Sequence, residues 1–277
     1  MRKKFILITG CSSGIGYSTS KYLKQNNFNV IVSCRKIKDV NKLSEDFEYS
    51  IQLDLGSTRS IKSACSLIKK IIKKQNLYGI FCNSGYGLYG ALEDLNRNQI
   101  RQQFEINLFG HIELINYLIP IMRLKNEGRI IFNSSVLGLV SLPYTSAYNA
   151  TKFAMEAFAK SLRIELSNTN IKVSLIEPGP IESSFNINAL KYLKKINYNK
   201  SFHKDKYNKM IKLLTIGKSK YTLPAKSVAI KVYKALISKN PKTQYYVTFP
   251  TYVMAYASIL PNFLFEKLVR YINKQRI

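Results

Sequence analysis

The chain has 277 residues, 46% hydrophobic and 21% charged, a balance that excludes a globally disordered chain, a collagen and a coiled coil. Its length suits one large domain that needs no disulfide or metal staple. With 43 Lys and Arg against 16 Asp and Glu, the net charge of +27 points toward a polyanion, an anionic lipid or an acidic substrate. The lysines are scattered, Trp is absent, and no recognition-helix, RNP or zinc-finger pattern occurs. Specific nucleic-acid binding is therefore not expected. AT-rich coding, which enriches Lys, Asn and Ile together, is the preferred source of the charge.

The opening Met1-Arg2-Lys3-Lys4 followed by Phe5-Ile6-Leu7-Ile8 imitates a secretory leader. Its apolar run is too short for one, and Phe5–Thr9 reads as a first strand. No apolar stretch approaches the roughly 20 residues of a membrane-spanning helix. Next comes Thr9-Gly10-Cys11-Ser12-Ser13-Gly14-Ile15-Gly16, a glycine-rich turn that opens a helix over 14–25. Such a turn brings backbone N–H groups and the positive end of a helix dipole to a pyrophosphate. The second strand, Val30–Ser33, ends in Ser33-Cys34-Arg35-Lys36. An NAD site usually places a carboxylate there to hold the ribose 2′-hydroxyl. Arg35 instead suits a 2′-phosphate, with Ser12 as a further donor, so NADP(H) is expected over NAD.

Further strands are expected at Ser50–Leu53, Gly79–Cys82, Arg129–Asn133 and Val173–Ile176, and helices near 38–47, 57–75, 96–123 and 146–167. This alternation implies βαβ units: an α/β fold with a doubly wound parallel sheet of Rossmann type and helices on both faces. After Pro178 the alternation lapses. Residues 191–220 hold ten Lys and one acidic residue, Asp205, and 181–220 reads as an inserted substrate loop. A helix near 225–238, a strand at Gln244–Thr248 and an apolar tail over about 250–277 complete one domain spanning 1–277. Cys11, Cys34, Cys65 and Cys82 are spaced by 23, 31 and 17 residues, which matches no zinc pattern, and buried reduced thiols are expected. With only His111 and His203 available, no metal centre is expected.

Tyr148 and Lys152 lie four apart in a helical segment and so share a face. An ammonium beside a phenol favours the phenolate, making a general acid/base usable near neutrality. Ser135 ends the fifth strand, where its hydroxyl can polarise a carbonyl.

In company, these motifs resemble the short-chain dehydrogenase/reductase family over nearly the whole chain. Thr9–Gly16 is similar to its TGxxxGxG signature, and Asp54-Leu55 to the pair that contacts adenine. Cys82-Asn83-Ser84-Gly85 is similar to its NNAG motif, with Cys82 and Ser84 departing from it. Pro178-Gly179-Pro180-Ile181 resembles the segment at the nicotinamide carboxamide, and Ser183 keeps the hydroxyl of the usual threonine. The resemblance implies a catalytic set of Ser135, Tyr148, Lys152 and Asn107, the last through a water. It implies cofactor contacts from Gly10, Ser12, Ser13, Gly14, Ile15, Gly16, Arg35, Asp54, Leu55, Asn83, Gly85, Tyr148, Lys152, Pro178, Gly179, Ile181 and Ser183. Asn83 is expected to serve mainly as support. A finer likeness is to the NADP-preferring branch with hydroxysteroid and retinol dehydrogenases and bacterial aldehyde reductases.

The expected reaction is hydride exchange between NADP(H) and the carbonyl or alcohol of a small hydrophobic substrate: a long-chain aldehyde, a steroid or a retinoid-like ketone. Tyr86, Leu88, Leu137, Leu142, Tyr144 and Phe185 are candidate lining residues. A 3-oxoacyl thioester reductase is the alternative enzyme. A non-catalytic NADP-binding regulator and a basic membrane- or RNA-surface protein are alternatives of another class. The resemblance implies a homodimer or homotetramer built on the helices that carry Phe104, Leu108, Phe109, Phe153 and Phe158. The tail is expected to close the pocket or a subunit contact, with peripheral membrane contact as the other reading. The expected location is cytoplasmic.

Overall fold

The computed structural model describes residues 3–73, 75–217 and 219–276. Met1 and Arg2 of the opening, Lys74 in the expected 57–75 helix, Lys218 in the 181–220 segment and Ile277 of the tail lie outside the described residues. The first half runs β1 (Phe5–Thr9), α1 (Gly14–Gln25), β2 (Asn29–Cys34), α2 (Ile37–Ser44), β3 (Tyr49–Gln52), α3 (Thr58–Ile72) and β4 (Leu77–Cys82). Then come α4 (Arg97–Phe104), α5 (Gly110–Arg123), β5 (Gly128–Asn133), α6 (Ser146–Glu165) and β6 (Ile171–Glu177). Last are β7 (Ile181–Glu182), α7 (Phe185–Leu193), α8 (Lys204–Ile216), β8 (Leu223–Pro224), α9 (Lys226–Ile237), β9 (Gln244–Tyr246), α10 (Phe249–Ala257) and α11 (Asn262–Arg276).

Among the described residues, seven parallel strands form one sheet in the order β3-β2-β1-β4-β5-β6-β9. Successive side chains of a strand point to opposite faces. Phe5 and Leu7 accordingly join Ile61 of α3, Leu114 of α5 and Met155 of α6. Ile6 and Ile8 join Leu23 of α1 and Val232 of α9 on the other face. Both faces are thus covered, which explains the nearly continuous apolar strands. The strand order reverses between β1 and β4, and such a switch point opens a crevice at the carboxyl ends. The register lines up Thr9 with Ser33, Cys82 with Phe132 and Asn133 with Ile176, so the motif residues emerge along one edge of the sheet.

Two segments differ from expectation. The 96–123 helix starts at an Asn96/Gln99 capping box but is broken by a π turn at Glu105–Phe109, which turns Asn107 and Leu108 inward. Such turns concentrate at functional sites. The expected 181–220 loop folds instead into α7 and α8, joined through the small β7/β8 pairing to the rest. Ala189 and Leu193, and Tyr207, Met210 and Leu214, recur at helical spacing beneath the lysine-rich exterior, and that apolar seam carries the two helices. Leu108 is buried and Phe104 half-buried, so the expected exposed seam reduces to Phe109, Phe153 and Phe158. Among the described residues no helix is long and apolar enough to cross a membrane.

Candidate active site

The glycine turn leaves β1 at the switch point. Gly14 has φ +60°, a conformation that disfavours side chains. A Cβ on Gly16 would lie 2.3 Å from the Gly10 carbonyl oxygen, so this turn closes only with glycine there. Ser13 caps α1 without a side-chain hydrogen bond, and no acidic residue stands in the first turn. The N–H groups of that turn are therefore free to meet an anion, and Ser12 and Ser13 are exposed beside them. Asn83 props the turn: its Nδ2 donates to Thr9 O at 2.8 Å, and its Oδ1 accepts from Asn133 Nδ2 at 2.9 Å. The Thr9 hydroxyl oxygen accepts the N–H groups of Asn83 and Ser84, both at 2.9 Å.

Arg35 stands exposed at the end of β2 and makes no ion pair among the described residues. With Asp54, Gly56, Gln102, Glu105 and Ile106 it lines a cavity of about 600 Å³ between the strand ends and α4. Asp54 Oδ1 accepts from Gly56 N at 3.0 Å, which shapes the turn after β3. Leu55 is buried under Gly110 of α5, where a Cβ would come within 2.1 Å of the Leu55 carbonyl oxygen. Its side chain therefore serves packing. Beyond β6, the Pro178 carbonyl accepts from Val136 N at 2.9 Å and ties this segment to the loop after Ser135. Gly179 packs closely on Thr248, Ile181 pairs with Leu223, and Ser183 reaches back over Gly14.

Ser135 Oγ accepts from Leu137 N at 3.1 Å, and its hydroxyl acts on the nearby Tyr148 phenol. Tyr148 is only 7% exposed and is covered by Phe185, at 5.4 Å between ring centroids, and by Tyr89, at 6.5 Å. That cover pushes the phenol above its ordinary range, with the Ser135 hydroxyl pulling the other way. This corrects the expectation that Lys152 dominates the phenol. The Lys152 ammonium donates to Asn133 O at 2.6 Å and stands 5.7 Å from the Tyr148 ring centroid. It is itself buried, which pushes it down to about 8.

Asn107 is fully buried, its Oδ1 accepting from Tyr86 N at 3.1 Å and its Nδ2 donating to Tyr86 O at 2.9 Å. Its amide thus fixes the segment after β4, and Gly85 passes against it. Gln103, one helical turn earlier, does the same for Tyr86 and Leu88. Two amides four apart on one apolar helix face were the signal for this clamp. Of the expected lining residues, Leu137, Leu142 and Phe185 cluster with Tyr148, whereas Tyr86, Leu88 and Tyr144 pack with α7 and α8. Tyr89 joins the site without having been singled out in the sequence, and Met254 and Phe265 bring the apolar tail against the same cluster. All four cysteines are buried and unpaired.

Residues 4–192 match the family described as short chain dehydrogenase. The chain is 39% identical over 269 residues to the uncharacterized oxidoreductase YbbO of Escherichia coli (strain K12), covering 97% of this chain and 94% of that one. A short-chain dehydrogenase from Streptomyces avermitilis superposes with a TM-score of 0.78 at 21% identity, covering 100% of this chain and 98% of the other. A short chain dehydrogenase/reductase from Burkholderia phymatum, solved in complex with NAD, gives 0.74 at 20% identity over 88% of each chain. With a glycine turn at the switch point, a seven-stranded parallel sheet and these relatives, the chain belongs to the short-chain dehydrogenase/reductase family of oxidoreductases.

Proposed function

We propose that the protein is an NADP(H)-dependent reductase of hydrophobic carbonyl compounds, with Tyr148 as general acid/base. The observation that carries this reading is the Tyr148 phenol, buried with Lys152 at 5.7 Å from its ring centroid and under the rings of Phe185 and Tyr89. The fit to a dinucleotide rests on the uncapped start of α1, the glycine contacts that side chains would fill, and the free guanidinium of Arg35. Gly10 through Gly16 would hold the pyrophosphate, Asp54 the adenosine end, and Ile181 and Ser183 the nicotinamide end. When bound, the nicotinamide supplies or accepts hydride.

The chain's own residues handle the proton. A phenol held above its ordinary range stays protonated at neutral pH and so donates to a developing alkoxide. Ser135 hydrogen-bonds the same oxygen and stabilises its charge. Lys152 places a cation 5.7 Å from the phenol ring centroid and would hold the nicotinamide ribose. Phe185, Leu142 and Met254 surround Tyr148 with apolar surface, which favours an aliphatic or polycyclic substrate over a sugar or amino acid.

Two assembly features belong to the same proposal. Exposed Phe109, Phe153 and Phe158 form the seam of a homo-oligomer, to be checked by light scattering. Met254 and Phe265 pack toward Tyr148, so the tail closes the substrate pocket. The decisive test is an NADPH-consumption screen across aliphatic aldehydes, ketosteroids, retinal and 3-oxoacyl thioesters. Reduction of an apolar carbonyl, lost by orders of magnitude in Ser135→Ala while NADPH still binds, is expected. Unchanged turnover in that variant would refute the assignment.

A further inference from the structure

Glu156 lies one helical turn beyond Lys152 on α6, and Glu177 ends β6. Glu156 is 4% exposed and Glu177 fully buried. Glu177 Oε1 accepts from Gln244 Nε2 of β9 at 2.7 Å. Neither oxygen of Glu156, nor Oε2 of Glu177, has a well-formed hydrogen bond to any described group. What faces them at looser geometry is the Ser134 hydroxyl and each other. The loop at Gly138 seals the place, since a Cβ there would lie 2.6 Å from Ser134 Oγ and 3.3 Å from Glu156 Cγ.

Two cations of α6 also bear on the pair. Arg163 of α6 spends its guanidinium on the carbonyls of Val173 at 3.1 Å and Thr243 at 3.4 Å. Lys160, also on α6, draws both carboxyls down from an exposed position where solvent screens it, and Tyr246 of β9 is a neutral phenol held up in part by both carboxyls. Around Lys152 the other titratable neighbours are Cys82 of β4 and His111 of α5. Burial keeps both uncharged, raising the thiol and lowering the imidazole to about 4. Glu156 is the strongest influence holding Lys152 protonated.

Three protonation states can be compared. Two carboxylates would oppose like charges in a dry interior with three oxygens unsatisfied. Two carboxylic acids would leave the buried Lys152 ammonium without an anion. One proton shared between the two satisfies the facing oxygens and leaves a single negative charge, the arrangement of two carboxyls in close contact.

We propose that Glu156 and Glu177 hold one proton between them, and that the single charge left over is the counter-ion that keeps Lys152 an ammonium beside Tyr148. Both glutamates are positioning residues: they touch neither substrate nor cofactor. The proposal rests on the reading of Tyr148 and Lys152 given above, but its test does not require turnover.

The test uses the unliganded full-length chain with glutamate carboxyls labelled with ¹³C and lysine amines with ¹⁵N, titrated by NMR. One carboxyl is expected to stay protonated at neutral pH, and its signal should vanish in Glu177→Gln. Glu156→Gln should move the Lys152 midpoint down by about one unit or more, and Glu156→Asp should restore part of the shift. With a reducible carbonyl in hand, the alkaline limb of the pH profile should move to lower pH in Glu156→Gln, an about tenfold loss on that limb. A merely structural role would lower activity evenly at every pH. Two wild-type carboxyls titrating in the ordinary range, or a Lys152 midpoint unmoved in Glu156→Gln, overturns the proposal. Should Glu156→Gln not fold, the wild-type carboxyl titration still decides. A failed titration alongside NADPH-dependent reduction would sink this inference alone, and a successful one without reduction would sink only the functional reading.

Discussion

The two ends of the crevice are built by different means. At the β1–β3 end the candidate groups are backbone N–H groups, exposed serines and a surface arginine. At the β5–β6 end they are side chains sealed from water: Ser135, Tyr148, Lys152, Glu156 and Glu177 are all buried. An open anion site needs geometry more than desolvation, because its ligand brings the charge. A proton-transfer site needs desolvation, because burial is what moves the affinities of phenol, amine and carboxyl away from their ordinary values. Point changes at the buried end should therefore act on rate and pH dependence. Changes at the open end should act on nucleotide affinity and choice.

The largest effect is expected at the buried end. Tyr148→Phe removes one hydroxyl from under Phe185 and should lower kcat by about 10²–10⁴ while calorimetric NADPH affinity stays within a few-fold. Equal loss of binding and rate would erase the contrast between the ends. Arg35→Ala should cut the NADPH-over-NADH ratio of kcat/KM by about 10–100-fold, the value of one or two charge-assisted hydrogen bonds. An unchanged ratio would move 2′-phosphate recognition elsewhere.

A subtler effect concerns stability against pH. Burial and the Glu156 charge raise Glu177 from 4.5 to about 9. The folded chain thus keeps a proton that the unfolded chain releases above about 4.5. This contribution is full below that pH and is lost as pH rises toward about 9. Glu177→Gln should flatten the fall of Tm with pH across that window, whereas Arg35→Ala should leave its slope alone. The smallest effect belongs to the helix cap at the wall of the Arg35 cavity. Asn96→Ala removes the Asn96/Gln99 capping box and should cost about 0.5–2 kcal/mol in denaturant unfolding.

The parallel sheet and its order of motifs were legible in the chain because they rest on local signals. Continuous apolar runs such as Phe5–Thr9, a glycine turn with a positive φ at Gly14, and the four-residue spacing of Tyr148 and Lys152 are each written in consecutive residues. Asn83 was read as support, and its bonds to Thr9 and Asn133 have that form. The segment 181–220 was misread as a loop because its lysines mask a seam that becomes apolar only when α7 and α8 pack together. Tyr89, after β4, and Met254 and Phe265, in the tail, come from two distant parts of the chain and gather around the Tyr148 cluster only in three dimensions.

The sequence by itself therefore determined the sheet, its glycine turn and the four-residue pairing of Tyr148 with Lys152, since periodicity and spacing act over a few residues. The tertiary structure alone decided that the phenol is held up rather than down, that Lys152 turns to the Asn133 carbonyl, and that Glu156 meets Glu177. Proton affinity depends on what surrounds a group in space, and burial is a property of the packed chain rather than of any stretch of it.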